Sequence, residues 1–304
     1  MITYASAIEP LRAANQLSGR ILYRWWHAAP EDKPAMASNG AAVLPDFKFG
    51  ADAGSLDLLI VCAGGNPATF NDRRTFAWLR KLASGGVIIG GISGGPFMLA
   101  KAGLLKGRRC TVHWEHMPAL HEAFPDIELT QSLFEIDRDR ITCSGGVAGL
   151  DLMTALIARD HGYELGAAVN DWFLHTYVRE GGEPQRMDLR YRFGVTNQKV
   201  LNALKAMESR LETPLSREQL AKVAGLSLRQ LERSFQSQLG HGVHAHYLSL
   251  RLSRSRQLLR ETSLSILEVA LATGFASASQ FSRAFRKSFG FSPRKARQRD
   301  RQFV

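Results

Sequence analysis

The last third of this chain repeats itself. Leu231, Arg233 and Phe235 recur as Phe281, Arg283 and Phe285, each 50 residues on, and Gly240 recurs as Gly290. Upstream of each set runs an apolar stretch. It reads Leu220-Ala221-Lys222-Val223-Ala224-Gly225-Leu226-Ser227 in the first copy and Val269-Ala270-Leu271-Ala272-Thr273-Gly274-Phe275 in the second. A small alanine, Ala221 or Ala270, lets two helices approach closely, and the glycine four residues later permits the left-handed turn that ends the first helix. The helix that follows buries one face and turns a polar face outward. Two helix-turn-helix units in register, joined by a helical stretch from Val243 to about Arg260, constrain this region to an all-α domain. At 1.5 Å per residue the joining rod is roughly 27 Å long.

Charge indicates the class of partner such a domain takes. From Lys199 to Val304 there are 19 Lys and Arg against 7 Asp and Glu, a net charge of +12, whereas residues 1–198 hold 20 against 21. A folded domain with that excess favours a polyanion. With helix thickness added to the rod, the second helices of the two units reach successive major grooves about one DNA turn, ~34 Å, apart. Leu231 and Phe235 face inward, so Arg229, Gln230 and Arg233 face outward; around Phe281 and Phe285 the outward residues are Ser279, Gln280 and Arg283. Arginine pairs bidentately with guanine, and glutamine with adenine. Ser227 and Ser277 stand at helix starts, where a serine either contacts a phosphate or simply caps the helix. Arg286, Lys287, Arg294 and Arg297 are candidates for contacts to the DNA backbone, with plain solvation as the alternative for any one of them.

The first two thirds read differently. Leu58–Cys62 and Val87–Ile92 are apolar runs suited to buried strands, and Phe70 to Ala83 between them has helical periodicity through Phe76, Leu79 and Leu82. A helix over Pro96–Ala102, one or two strands within 127–143, and helices over 149–161 and 163–176 follow. Such alternation implies an α/β domain with a mostly parallel sheet. The expected division is a domain over 1–178, a linker over 179–198 containing Gly181, Gly182 and Pro184, and the helical domain over 199–304. No run of about 18 apolar residues suggests a membrane span, and Met1-Ile2-Thr3-Tyr4 does not open a signal peptide. Cys62, Cys110 and Cys143 cannot all pair and lack metal-ligand spacing, which fits free thiols in a reducing cytoplasm.

Gly91-Ile92-Ser93-Gly94-Gly95 fits the G-x-S-x-G pattern in which a serine sits on a sharp turn between strand and helix. Glu9 and His113 are the polar residues that would accompany it, so a serine hydrolase is one reading. His113, Glu115, His116 and His121 have no fixed metal spacing, and no metal site is expected.

Two resemblances bear on these alternatives. The repeats, with Gly290-Phe291-Ser292-Pro293 and Arg297 after them, resemble the AraC/XylS family over about residues 199–298. That implies a DNA-binding module with two recognition helices, usually an activator, with promoter DNA and RNA polymerase as partners. Residues 4–175 resemble the DJ-1/PfpI domain through Ala7-Ile8-Glu9-Pro10-Leu11-Arg12-Ala13-Ala14-Asn15, Cys62-Ala63-Gly64-Gly65, the elbow, Leu99-Ala100-Lys101-Ala102-Gly103-Leu104-Leu105 and Thr111-Val112-His113-Trp114. The order of the two domains is similar to the GlxA-type regulators. Enzymes of the DJ-1/PfpI superfamily carry a cysteine at the elbow, where this chain has Ser93, a far weaker nucleophile unless a base activates it. The resemblance therefore implies a retained binding pocket without cofactor. Glu9 would serve as an acceptor, the Gly65 and Gly94 amides as donors, and Ser93, His113 and Trp114 as walls. It also implies a homodimer and a small-molecule effector, an amino acid or a quaternary amine such as a betaine. Domains of this type begin with a buried strand before the first helix; here only Met1–Ala5 precede it, so the first central strand is expected to be absent.

Overall fold

The computed structural model describes residues 1–31, 33–49 and 54–299. They form two compact units, one over Met1–Gln185 and one beginning at Arg186. The stretch 179–198, expected as a linker, divides between them, and residues 300–304 of the expected helical domain lie outside the described residues.

In the first unit the chain runs through α1 (Ile2–Ser18), β1 (Leu58–Ala63), α2 (Arg73–Ser84), β2 (Ile88–Ser93), α3 (Gly95–Lys101), α4 (Met117–Ala123), β3 (Phe134–Asp137), β4 (Arg140–Cys143), α5 (Ala148–His161) and α6 (Tyr163–Trp172). The sheet order is β1-β2-β4-β3, with β1, β2 and β4 parallel and β3 antiparallel to β4. Alternation along the strands feeds two cores, as expected of a sheet covered on both faces. Leu59, Val61 and Ile89 pack with Phe76, Leu79 and Leu99 of α2 and α3. Ile60, Ile88 and Ile92 pack with Leu152, Met153 and Leu156 of α5. Ala13 and Ala14 of α1 are fully buried with Ile157 and Val169 of α5 and α6.

β1 is an edge strand of this sheet. Its six residues are all apolar, yet none is buried and Cys62 is exposed, whereas every residue of β4 is buried. No strand precedes α1 among the described residues.

The second unit is helical among its described residues: α7 (Leu189–Phe193), α8 (Gln198–Ser209), α9 (Arg217–Ala224), α10 (Leu228–Leu239), α11 (Val243–Glu261), α12 (Ile266–Ala272), α13 (Ala278–Phe289) and α14 (Pro293–Arg299). Helix pairs α9–α10 and α12–α13 are the two repeats. Their second helices each have 12 residues and start 50 apart, but the second turn, 273–277, is two residues longer than the first, 225–227. Each unit has its own core. Leu204, Leu220, Leu231, Phe235 and Tyr247 form the first, and Leu252, Leu259, Val269, Phe281 and Phe285 the second. α11 contributes to both.

The repeats differ where their backbone donors differ. The Val243 amide at the start of α11 donates to Glu232 Oε2 (3.1 Å). At the equivalent position α14 begins with Pro293, which has no N–H to satisfy, and residue 282 is serine. Arg251 of α11 donates to the carbonyls of Thr273 and Gly274 (2.7 Å each) and lies 4.2 Å from the Phe275 ring centre, bracing the second turn.

His246 is buried among Phe193 and Phe235, with its Nδ1 2.8 Å from His241 Nε2. Burial, aided by the neighbouring His241 and opposed by Glu208, pushes its pKa down to about 4. The folded state therefore binds this proton less readily than the unfolded chain does. The associated stability is fully present above the ordinary histidine range and is lost as pH falls from about 6.5 towards 4. We expect the midpoint of urea unfolding of the second unit to drop over that window. His246→Gln should flatten the slope; an unchanged slope would refute the assignment. In the second core Phe285 is fully buried, so Phe285→Ala should cost about 3–5 kcal/mol. Exposed Arg286→Ala should stay within about 0.5 kcal/mol, read from the same unfolding curves.

A candidate nucleic-acid interface and a candidate ligand site

Both recognition helices start on a serine cap. Ser227 accepts the Gln230 amide (3.3 Å), while the Gln230 side-chain oxygen accepts the Ser227 amide (2.9 Å), a reciprocal capping box. Ser277 accepts the Gln280 amide (3.2 Å), and the Gln280 oxygen accepts from Ala276 N (3.2 Å). The two serines therefore act as caps here, and each glutamine has its Oε1 tied to the backbone. Bidentate pairing with adenine would require that bond to open. Arg229 and Arg233 on α10, and Ser279 and Arg283 on α13, are exposed, as are Arg286, Lys287 and Arg294. Gln280, Arg283 and Lys287 rim an open groove of about 520 Å³ whose wall includes Leu248 and Leu252 of α11. Arg297 departs from its expected backbone-contact role. It is half-buried, and its guanidinium donates to the Leu264 carbonyl, 33 residues away in sequence.

At the elbow, Ser93 has φ 62°, a left-handed conformation rare outside glycine. The turn is tight because α3 packs directly on β1: a Cβ on Gly95 would come within 2.0 Å of the Val61 carbonyl oxygen. The Ser93 carbonyl accepts the His113 amide (3.2 Å), which joins the two residues through their backbones. Gly145 closes the opposite side, where a Cβ would stand 2.7 Å from Ser93 Cβ. The neighbouring Gly146 donates to Thr3 Oγ1 (3.2 Å), and its carbonyl accepts from Ser6 Oγ (2.9 Å). The first turn of α1 thus borders the site through Thr3 and Ser6, which the sequence reading missed. Glu9, expected as the acceptor, pairs instead with Arg12 (2.7 Å), and both side chains are more than two-fifths exposed. The Gly94 amide, expected as a ligand donor, is taken by the Ala63 carbonyl (2.9 Å). Gly65 is exposed with φ 63°.

His113 Nδ1 accepts the Glu115 amide (3.3 Å) and lies 3.8 Å from the Glu115 carboxylate. A neutral imidazole accepting at Nδ1 carries its proton on Nε2, and so presents a donor from that nitrogen. Its ring centre is 5.5 Å from that of Trp114. Burial pushes the Cys143 thiol, two residues before Gly145, up to about 12, which leaves it inert as a nucleophile. Among the described residues no group of three or more His, Cys, Asp or Glu side chains is placed to hold a metal ion. No described helix is long and apolar enough to cross a membrane.

Comparison with known proteins agrees with both halves. Residues 5–159 match the DJ-1/PfpI family and residues 220–299 match a helix-turn-helix domain. The chain is 43% identical over 299 residues to the HTH-type transcriptional regulator GbdR of Pseudomonas aeruginosa (strain UCBPP-PA14), covering 98% of this chain and 81% of that one. It is likewise 43% identical over 301 residues to the HTH-type transcriptional regulator GlxA of Rhizobium meliloti (strain 1021), covering 98% and 92%. A crystal structure of an AraC family transcriptional regulator from Pseudomonas putida superposes with a TM-score of 0.52 at 26% identity, over 57% of this chain and 92% of that one. The chain belongs to the GlxA-type transcriptional regulators, in which a DJ-1/PfpI domain precedes an AraC-type helix-turn-helix domain. It is a DNA-binding regulator of transcription.

Because Arg233 and Arg283 are exposed on the two recognition helices, Arg233→Ala and Arg283→Ala should each weaken binding to the specific site by roughly 1–3 kcal/mol and to random DNA by much less. Affinity titrations of the full chain on both DNAs check this. Equal losses on the two would show that the arginines contact only the DNA backbone.

Proposed function

We propose that the N-terminal domain is a non-catalytic sensor of a small metabolite, and that the chain is a cytoplasmic activator, dimeric through this domain, that recruits RNA polymerase at its promoters. The chemistry at the elbow carries the reading. Ser93 keeps the left-handed turn that a nucleophile would need, but it offers a hydroxyl where the superfamily's enzymes use a thiolate. His113, joined to Ser93 through its backbone amide, has its Nδ1 turned to the Glu115 amide, and a neutral ring in that arrangement offers an N–H from Nε2. A hydroxyl and an N–H donor suit a carboxylate, and the Trp114 ring, 37% exposed, suits an ammonium or quaternary ammonium group. The effector class is thus an amino acid or a betaine. The surrounding residues also include Thr3 and Ser6, and Glu9 would have to leave its exposed pair with Arg12 to meet a ligand.

One observation favours a second reading, a serine hydrolase: the φ of Ser93 is that of a nucleophile elbow. The two readings separate cleanly. On the sensor reading, glycine betaine or one of a panel of amino acids raises the melting temperature of the full chain. The stabilisation is about 2.7 kcal/mol at a hundred times the dissociation constant. Ser93→Ala shifts the effector affinity by roughly 0.5–1.5 kcal/mol, one neutral hydrogen bond, and Trp114→Ala reduces it further. No stabilisation by any of these compounds, together with labelling by a fluorophosphonate that disappears in Ser93→Ala, would establish the hydrolase instead.

A further inference from the structure

Residues 173–188, which lead out of α6 to α7, form no helix or long strand. Their large apolar side chains point largely to solvent, with Leu174 86% and Tyr177 67% exposed. What holds this segment to the first unit is a short series of polar attachments. Asp151, in the first turn of α5 with its side chain fully buried, accepts from His175 Nε2 (2.9 Å), Arg179 Nη2 (2.5 Å) and the Arg179 amide (3.3 Å). The Gly181 carbonyl accepts the Leu133 amide (2.7 Å), and Pro184 bridges to Ser132. Finally, the Gln185 side-chain amide nitrogen lies 2.9 Å from each of Thr111 Oγ1, the Val112 carbonyl and the Ser132 carbonyl.

The two main attachment points lie close in sequence to the residues flanking Ser93. Thr111 and Val112 run directly into His113, whose amide is bonded to the Ser93 carbonyl. Gly145, in contact with Ser93, leads through Gly146 into α5 and its Asp151. One chain segment is thus bonded to the stretch that runs into His113 and to the helix that follows Gly145, and the residue after Gln185 is the first of the DNA-binding unit.

We propose that residues 175–185 are a strap that carries the state of the Ser93 site to the DNA-binding unit. Held down, the strap keeps the tether of that unit short. Released, its 11 residues add up to about 36 Å of reach at roughly 3.3 Å per residue. A ligand that displaces the His113 wall or the Gly145 wall acts on the strap through its differential affinity for the held and released states. The strap rests on the sensor reading of the Ser93 site and supplies its output. Its attachments are polar and few, which suits an element that must let go.

The test uses the full chain on a promoter fused to a reporter, without added effector. Gln185→Ala and Arg179→Ala should raise basal transcription about 5-fold or more, the lower bound of ordinary allosteric couplings. In the purified Gln185→Ala protein the Leu133 and Arg179 amides should exchange hydrogen faster than in the wild type. Arg179→Ala leaves the buried Asp151 with fewer donors and risks misfolding, so Gln185→Ala decides the matter if that variant does not fold. A folded Gln185→Ala protein with wild-type basal transcription overturns the strap. Wild-type reporter output is measured in parallel with glycine betaine and the amino-acid panel. A wild type that answers none of them sinks the sensor reading, while a basal rise in the strap variants still supports the strap, so the two failures are separately visible.

Discussion

Everything the second unit does depends on one helix serving two cores. α11 buries Val243 and Tyr247 against the first repeat and Leu252, Leu258 and Leu259 against the second. Its 19 residues make a rod of about 28 Å. Because both repeats are packed on this rod rather than hung on a flexible loop, the separation of their recognition helices is a property of the core. Arg251 tightens the arrangement by reaching from the rod to the second turn. A protein that reads two successive grooves needs such a fixed separation, since an error of a few ångströms would put one helix out of register with the base edges.

In the first unit the corresponding constraint is the contact of α3 with β1. The absence of side chains at Gly91 and Gly95 lets the strand-to-helix turn close, and the left-handed Ser93 follows from that closure. The turn presents Ser93 between the His113 wall and the Gly145 wall whether or not the residue is a nucleophile. Replacing a thiol by a hydroxyl therefore leaves the turn intact and removes most of its reactivity. This is how a scaffold shared with enzymes can serve a regulator without loss of shape.

Much of this was legible in the sequence. Strands and helices are set by local periodicity, and the main ones lie where the apolar pattern places them, with ends shifted by up to four residues and three strands, rather than one or two, within 127–143. The fully buried Phe235 and Phe285 follow from the same pattern. The cap roles of Ser227 and Ser277 were among the readings open to sequence, and the Glu9–Arg12 pair was legible too, since residues three apart on a helix are neighbours. The polar commitments that decide what a site can bind were not legible, because their partners are remote in sequence: Arg297 with Leu264, the Gly94 amide with Ala63, the Gly146 amide with Thr3, and Gln185 with Thr111 and Val112.

The sequence by itself determined the two-domain order, the α/β and helical classes, the duplicated recognition helices and the serine at the elbow. Each of these is written in spacing, charge or residue type within a single segment. Only the tertiary structure decided which polar groups remain available. A buried donor or acceptor must find a partner wherever folding brings one, so the Gly94 amide and the Arg297 guanidinium were claimed by the fold, while Thr3 and Ser6 were brought to Gly146 beside the elbow. The same requirement ties Arg179 and Gln185, within the stretch expected as a linker, to Asp151 and to Thr111 and Val112.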